Sequence, residues 1–212
     1  PPVLVDTRFH GQERKLLLIA NRNGFFYVLD RTSGQVLLAR QFVRRVTWTS
    51  GIGDDGRPRL TPEGDVVCPE VATNWNATAF SPVTRLFYVV AMEKCEVRLS
   101  SRNRKQEPPQ EEPGKKFLRA LDIETGRVVW EDPQIGPAEG KREAGVLGTA
   151  GGLLFYGDPS GDFVALDERD GKALWHFPTG ETMKTSPMTF MAGGQQFIVI
   201  AAGAEILCFG LP

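Results

Sequence analysis

The stretch ALDIETGRVVW, residues 120–130, decides the fold. It contains the end of an apolar strand, an aspartate at Asp122, a turn that closes on Gly126, and a second strand that ends in Trp130. Asp122 can accept hydrogen bonds from the amides of the turn, and Gly126 supplies the positive φ that a tight turn needs. The stretch therefore predicts two antiparallel strands, with the tryptophan packed flat against a neighbouring sheet.

The same frame occurs twice more, as ALDERDGKALW at residues 165–175 and as VLDRTSGQVLL at residues 28–38. Asp122 and Asp167 lie 45 residues apart, while Asp30 and Asp122 lie 92 residues apart. The longer spacing is about two periods, so we expect a degenerate copy near SPVTRLFYVVA, residues 81–91. Repeats of this length predict a modular architecture.

Short apolar or β-branched runs, punctuated by 23 glycines and 15 prolines, follow one another with little helical periodicity. A period of about 45 residues with a docking tryptophan is typical of a four-stranded β-propeller blade. We predict an all-β partial propeller of about three to four blades, with Trp130 and Trp175 as docking residues; a β-sandwich with chance similarity is the alternative. We expect residues 1–212 to belong to one propeller region. Within it, we expect the polar residues 98–116 to form an exposed loop between strands.

The composition argues against several classes of function. The net charge of −1 does not favour nucleic acid as a partner, and no apolar run is long enough for a membrane span. Three cysteines in no metal-ligand spacing, together with only two histidines, argue against a zinc site and a Ser-His-Asp enzyme.

The frame at residues 120–130 resembles the tryptophan-docking motif of the quinoprotein alcohol dehydrogenases. Four further stretches resemble the C-terminal half of that family, in the same order: NRNGFFYVLDRTSG (21–34), TWTSGIGDDGRP (47–58), CPEVATNWNATAFSP (68–82) and GTAGGLLFYGDPSGDFVALDERDGKALWHFPTG (148–180). The family members are eight-bladed propellers that hold pyrroloquinoline quinone (PQQ) and a calcium or lanthanide ion. The resemblance thus implies a PQQ-dependent enzyme.

The resemblance assigns cofactor contacts to Arg22, Asn74 and Trp75. A planar guanidinium can donate two parallel hydrogen bonds to the PQQ carboxylates or carbonyl oxygens, and an asparagine amide offers both a donor and an acceptor. Trp75 would supply an apolar wall. Judged from the residues alone, Arg22 also fits a solvated turn, and Asn74 and Trp75 also fit a loop and a core position.

The family's catalytic aspartate and its metal ligands lie in its first half. The resemblance therefore implies that this chain is the C-terminal third to half of a periplasmic alcohol dehydrogenase, with no catalytic residue and no metal ligand of its own. The parent enzyme would oxidise a small alcohol to an aldehyde by hydride transfer, with a cytochrome c-type acceptor and the missing N-terminal half as partners. The alternative is a non-catalytic PQQ-repeat scaffold that binds other proteins.

The methanol-oxidising members of the family imply a disulfide between Cys68 and Cys95. Such a bridge would fit the oxidising periplasm. The alternative is that all three cysteines are reduced core residues. Cys208, within the apolar run EILCFG, is expected to be a buried free thiol.

Overall fold

The computed structural model describes residues 1–62, 64–97, 113–134, 144–158 and 160–210. Within these ranges all regular secondary structure is β-strand, and no helix capable of crossing a membrane occurs. In chain order the strands are β1 (Val3–Phe9), β2 (Gln12–Ala20), β3 (Phe25–Asp30), β4 (Val36–Gln41), β5 (Thr49–Ile52), β6 (Pro58–Leu60), β7 (Val66–Val67), β8 (Ala79–Phe80), β9 (Leu86–Glu93), β10 (Glu96–Val97), β11 (Lys115–Asp122), β12 (Val128–Gln134), β13 (Val146–Gly148), β14 (Leu153–Gly157), β15 (Asp162–Asp167), β16 (Ala173–Pro178), β17 (Met188–Ala192), β18 (Gln195–Ala202) and β19 (Glu205–Gly210).

The strands form three complete antiparallel sheets of four strands and a fourth sheet of three. The sheets are β1–β4, then β8–β9–β11–β12, then β13–β16, and finally β17–β19. We call them blades 1 to 4. Two small ribbons, β5–β6 and β7–β10, lie in the connections. The prediction of an all-β partial propeller with three to four blades is confirmed.

The repeated frame forms the outer hairpin of each complete blade. The strand register shifts at the same place in all three copies, between the frame leucine and the residue before it. The amide of the frame glycine donates to the carbonyl oxygen of the frame aspartate: Gly34 to Asp30 at 2.8 Å, Gly126 to Asp122 at 2.8 Å, and Gly171 to Asp167 at 2.9 Å. The glycines have φ values of 77°, 68° and 74°. A short sequence pattern thus specifies one local geometry three times.

The expected extra copy near residues 81–91 is not a separate blade. Its strand is β9, which pairs with β11, so it lies in the same sheet as the frame at residues 120–130. The spacing of 92 residues arises because long connections interrupt one blade period, between β4 and β8 and between β10 and β11. That part of the sequence prediction was wrong.

Most of the loop predicted at residues 98–116 lies outside the described residues, which exclude 98–112. Its last two residues, Lys115 and Lys116, are the first of β11, and Lys116 is buried, so the prediction of an exposed loop was wrong for these two residues. It remains a prediction for residues 98–112.

The hydrophobic core lies between the blades. Successive residues of a strand point to opposite faces, so the central strands contribute to two cores. In β9, Phe87 packs towards blade 1, where its ring lies 5.0 Å from that of Phe26, whereas Tyr88 packs towards blade 3. Phe163 of blade 3 meets Phe209 of blade 4 at 5.3 Å. Each interface buries one face of each sheet.

Trp130 lies against the frame turn of the following blade. Its ring carbons are 2.8–2.9 Å from the position that a Cβ on Gly171 would take, and its indole nitrogen donates to the carbonyl oxygen of Glu168 at 3.1 Å. Trp175 is 42% exposed, and its ring meets Phe209 of blade 4 edge-on at 5.4 Å. Both tryptophans therefore contact the next sheet along the chain.

Cys208 is free but exposed, so the prediction of a buried thiol was wrong. Residues of β19 alternate between two faces, and Leu207 and Phe209 face blade 3. Cys208 shares the opposite face with Ile206, which is 77% exposed. Within the described ranges no further sheet covers that face.

Candidate cofactor site

A tight turn at residues 21–24 joins β2 to β3 and carries Arg22 at its tip. The amide of Gly24 donates to the carbonyl oxygen of Asn21 at 3.1 Å. The two asparagine side chains stabilise the turn from within: Asn21 Oδ1 accepts from the amide of Asn23 at 3.1 Å, and Asn23 Oδ1 accepts from that of Phe25 at 3.0 Å. The asparagines thus fix the backbone on both sides of the arginine.

Arg22 itself is exposed. Across the described part of the chain, its guanidinium has no ion pair and no side-chain hydrogen bond. Neither β-hairpin geometry nor packing requires an arginine at this tip. An unpartnered guanidinium on a rigid turn is suited to a planar anionic ligand.

The turn packs closely on the connection between blades 1 and 2. A Cβ on Gly24, which has a φ of 96°, would lie 3.0 Å from Val43, 3.1 Å from Val46 and 3.3 Å from Pro69. Glycine is therefore required at position 24, both for its φ and for the close approach of these side chains.

In the strand that follows this turn, burial raises the pKa of the Tyr27 phenol, and the hydrogen bond that the Asn23 side chain donates to it partly offsets this effect.

Cys68 and Cys95 form a disulfide, with Cα atoms 4.4 Å apart. The bridge links the segment that precedes Asn74 to the residues just after β9. The predicted pairing is confirmed, and the alternative of three reduced cysteines is excluded.

Ala72 brings the two predicted cofactor contacts into one region. Its amide donates to the carbonyl oxygen of Arg22 at 3.0 Å, and its carbonyl oxygen accepts from the amide of Met92 at 2.7 Å. Asn74 follows two residues later and is partly buried, while the indole of Trp75 is 65% exposed. The Arg22 turn and the Asn74–Trp75 loop are therefore neighbours, although 52 residues separate Arg22 from Asn74.

The starts of the first strands of neighbouring blades meet in the same region. The hydroxyl of Thr78, just before β8, donates to the carbonyl oxygen of Pro1 at 3.1 Å. The amide of Val146, at the start of β13, donates to the carbonyl oxygen of Ala77 at 2.9 Å. We call this end of the blades, with residues 21–24, 68–78, 144–146 and 179–187, the loop face.

A group of charges around the buried Arg119 holds the start of the connection between β4 and β8, which leads to the loop face. Arg119 is 2% exposed and donates to the carbonyl oxygen of Phe42 at 2.6 Å. It also pairs with Glu93 at 2.5 Å and with Glu131 at 3.0 Å, and both carboxylates bind Arg44 as well. Glu93 and Glu131 line a cleft of about 920 Å³ beside the disulfide. Because the buried Arg119 charge is paired with two carboxylates, we assign this group to the framework of the fold and not to the candidate cofactor site.

Sequence reasoning left Trp48 without a role, and the structure supplies one. Its indole nitrogen donates to the carbonyl oxygen of Asn23 at 2.9 Å, so the side chain supports the Arg22 turn. The stretch TWTSGIG gave no signal for this contact, because the acceptor is a backbone atom.

The residues of the loop face fit PQQ, which carries three carboxylates and a planar aromatic ring system. A free guanidinium, an amide and an exposed indole provide the donors and the flat apolar surface that such a molecule needs. A metal ion has no comparable site in the described ranges, where no three His, Cys, Asp or Glu residues cluster.

Comparisons with known proteins agree with this architecture. The PQQ_2 family model, described as outer membrane protein assembly factor BamB, matches residues 5–209. A 1-butanol dehydrogenase (cytochrome c) from Thauera butanivorans is 32% identical over 231 residues, covering 95% of this chain and 33% of the relative. A lanthanide-dependent methanol dehydrogenase from Methylorubrum extorquens is 30% identical and covers 95% of this chain and 38% of the relative.

A solved structure supports the fold. The crystal structure of quinohemoprotein alcohol dehydrogenase from Comamonas testosteroni superimposes with a TM-score of 0.82 at 29% identity, over 97% of this chain and 34% of that chain. The chain spans about a third of the length of the curated relatives that it matches. It belongs to the PQQ_2 family of β-propeller proteins and is a homologue of the quinoprotein and quinohemoprotein alcohol dehydrogenases.

Proposed function

We propose that this chain is the C-terminal, cofactor-contacting part of a periplasmic PQQ-dependent alcohol dehydrogenase that oxidises an alcohol to an aldehyde and passes electrons to a cytochrome c-type acceptor. One observation carries the proposal: the turn that bears the unpartnered Arg22 guanidinium lies next to the Asn74–Trp75 loop. A backbone hydrogen bond between Arg22 and Ala72 joins the two segments. The names of the relatives supply the reaction class and the acceptor.

The bound quinone supplies the two-electron acceptor for the hydride of the alcohol. Arg22 binds its oxygens with the planar guanidinium fork and stabilises negative charge that develops there. Asn74 orients the ring through its amide, and Trp75 covers an apolar face and excludes water. The general base and the metal ligands, a calcium or lanthanide site, come from outside this chain.

The test is a PQQ titration of the full-length apoprotein. Arg22→Met should weaken PQQ binding by about 10- to 100-fold, because hydrogen bonds to charged groups contribute about 1.5–3 kcal/mol. Arg22→Lys keeps the positive charge but loses the planar guanidinium fork, so its affinity for PQQ should lie between those of the wild type and Arg22→Met. Arg8→Met is the matched control, since the Arg8 guanidinium is exposed and, among the residues that the structure describes, pairs only with Glu13 at 3.5 Å. Unchanged affinity in Arg22→Met would overturn the assignment.

The second candidate is a non-catalytic scaffold that binds other proteins, and the description of the matching family as an assembly factor favours it. A scaffold requires no cofactor, so the wild-type protein would then fail to bind PQQ at micromolar concentration. The same titration therefore separates the two functions.

A further inference from the structure

The Asn74–Trp75 loop is held at its far end by residues of two other blades. The carbonyl oxygen of Ala77 accepts from the amide of Val146 in blade 3. The amide of Ala77 donates to the hydroxyl of Ser186, 3.2 Å away and 109 residues later in the chain. Ser186 lies in the connection that leads into blade 4. Both backbone groups of Ala77 are thus bound outside blade 2.

The connection that carries Ser186 is itself firmly seated. The side chain of Met183, three residues earlier, is 2% exposed and packs so closely on Gly157 that a Cβ there would lie 2.5 Å from the Met183 Cβ. Towards blade 4, the hydroxyl of Thr185 donates to the carbonyl oxygen of Ala201 at 3.2 Å and accepts a hydrogen bond from the Ala201 amide at 3.3 Å. The backbone that carries Ser186 is therefore held on two sides.

Gly145 leaves the space in which Ser186 reaches Ala77. A Cβ built on Gly145 would lie 2.1 Å from the Ser186 hydroxyl oxygen and 2.6 Å from the Ala77 nitrogen. Any residue with a side chain at this position would displace one of the two partners. Three segments from different parts of the chain thus meet around a single hydrogen bond.

We propose that Ser186 is a positioning residue for the cofactor site: its hydroxyl fixes Ala77 and, through the short loop that precedes it, the side chains of Asn74 and Trp75. Ala72 holds one end of this loop and Ser186 the other. The inference rests on the proposed function, because it gives the loop the role of a cofactor contact. It makes cofactor affinity depend on the connection that leads into blade 4.

The experiment compares Ser186→Ala with Thr189→Val in the full-length protein. Both variants remove a hydroxyl, but the Thr189 hydroxyl donates to the carbonyl oxygen of Phe197 at 2.8 Å and accepts from the Gln196 side chain at 2.9 Å, and both of these residues belong to blade 4. Two quantities are measured: hydrogen–deuterium exchange of the peptide that contains Ala77 in the apoprotein, and the dissociation constant for PQQ. Gly145→Ala is a second variant that disturbs the same bond from the opposite side.

We expect Ser186→Ala to increase exchange at Ala77 by about tenfold and to weaken PQQ binding by about two- to tenfold, as the loss of one hydrogen bond allows. Thr189→Val should leave both quantities as in the wild type. If the wild type binds PQQ tightly and Ser186→Ala leaves either the exchange at Ala77 or the PQQ affinity unchanged, the role of Ser186 is overturned while the proposed function stands. Failure of the wild type to bind PQQ would overturn the proposed function and with it the role of the loop.

Discussion

The indole nitrogen of Trp48 donates a hydrogen bond of 2.9 Å to the carbonyl oxygen of Asn23. The same ring meets Phe25 edge-on, with centroids 6.1 Å apart. One side chain therefore contacts the turn at the residue after Arg22 and again where β3 begins. Trp48, which lies 26 residues after Arg22 in the sequence, therefore supports the turn that carries the arginine.

Trp48→Phe should loosen this turn. The substitution keeps an aromatic ring against Phe25 but removes the donor, which leaves the Asn23 carbonyl oxygen without this partner. We expect a loss of about 1 kcal/mol in unfolding free energy, faster amide exchange in residues 22–25, and PQQ binding weaker by a few fold. Exchange by mass spectrometry and a PQQ titration provide the measurements.

Trp130→Phe is the matched control for that variant. Trp130 also donates from its indole nitrogen to a backbone carbonyl oxygen, that of Glu168, but it lies between blades 2 and 3. It should lower stability by a similar amount while exchange in the turn stays unchanged. Equal effects of the two variants on the turn would show that Trp48 acts only through global stability.

The frame glycines give a second prediction, because two of them differ only in their surroundings. Gly171 has a φ of 74° and lies against Trp130, whereas Gly34 has a φ of 77° and, apart from its chain neighbours, no atom of the described residues within 4 Å of its Cβ position. Alanine at either site incurs about 1–2 kcal/mol of backbone strain. At Gly171 the new methyl group also displaces Trp130, which adds about 1–3 kcal/mol.

Chemical denaturation of Gly34→Ala and Gly171→Ala should therefore give unequal losses of stability, with the larger loss at Gly171. A Trp130→Ala background should remove most of the difference, since the displaced ring is then absent. Equal losses in the wild-type background would mean that the frame turn does not support the neighbouring blade.

The frame and the cofactor loop differ in how far the sequence predicts them. In the Asp-turn-Gly frame, the aspartate accepts hydrogen bonds from the turn and the glycine adopts a positive φ, so the residue types themselves specify the turn. Three hairpins were therefore predictable from Asp30, Asp122 and Asp167. Ala72 and Ala77 are held through their own backbone atoms, and the identity of an alanine gives no indication of which partners those atoms bind. Likewise Gly145 and Ser186 look like ordinary loop residues until the chain is folded.

Two wrong predictions have the same physical origin. The exposure of Cys208 depends on whether a sheet lies beyond β19, and the alternation within EILCFG does not contain that information. The spacing between Asp30 and Asp122 suggested two blades because the length of a connection is not constrained by the pattern of the strands it joins. Local geometry was predictable, whereas the number of blades between two frames was not.

Acid should weaken the first frame turn in a defined pH range. The Thr32 hydroxyl, at 2.5 Å, and the Thr32 amide, at 2.9 Å, donate to Asp30 and lower the pKa of its carboxyl group from 3.8 to about 2. A lowered folded-state pKa stabilises the fold above the unfolded-state pKa, and this contribution is lost as the pH falls from about 4 through about 2.

Thr32→Val removes the hydroxyl and should raise the folded-state pKa of Asp30 towards 3.8. The variant should be less stable than the wild type at pH 7, and the gap should narrow as the pH falls from 5 towards 2.5. Thr32→Ser keeps the hydroxyl and should follow the wild type. Urea midpoints measured across this range supply the test, and a gap that does not change with pH would contradict the assigned cause.

The disulfide gives the last prediction. Cys68 and Cys95 enclose a sequence separation of 27 residues, and closing such a loop stabilises the folded state by about 3–4 kcal/mol in the chain-entropy model. The enclosed segment includes Ala72, Asn74 and Trp75, so its opening should also loosen the cofactor loop. Cys68→Ala with Cys95→Ala should lower the unfolding free energy by about this amount and weaken PQQ binding. Cys208→Ser should change neither, because that thiol is exposed and unbonded. A thiol reagent should label one cysteine in the native, unreduced protein and still only one after denaturation, whereas three labelled cysteines after denaturation would exclude the bridge.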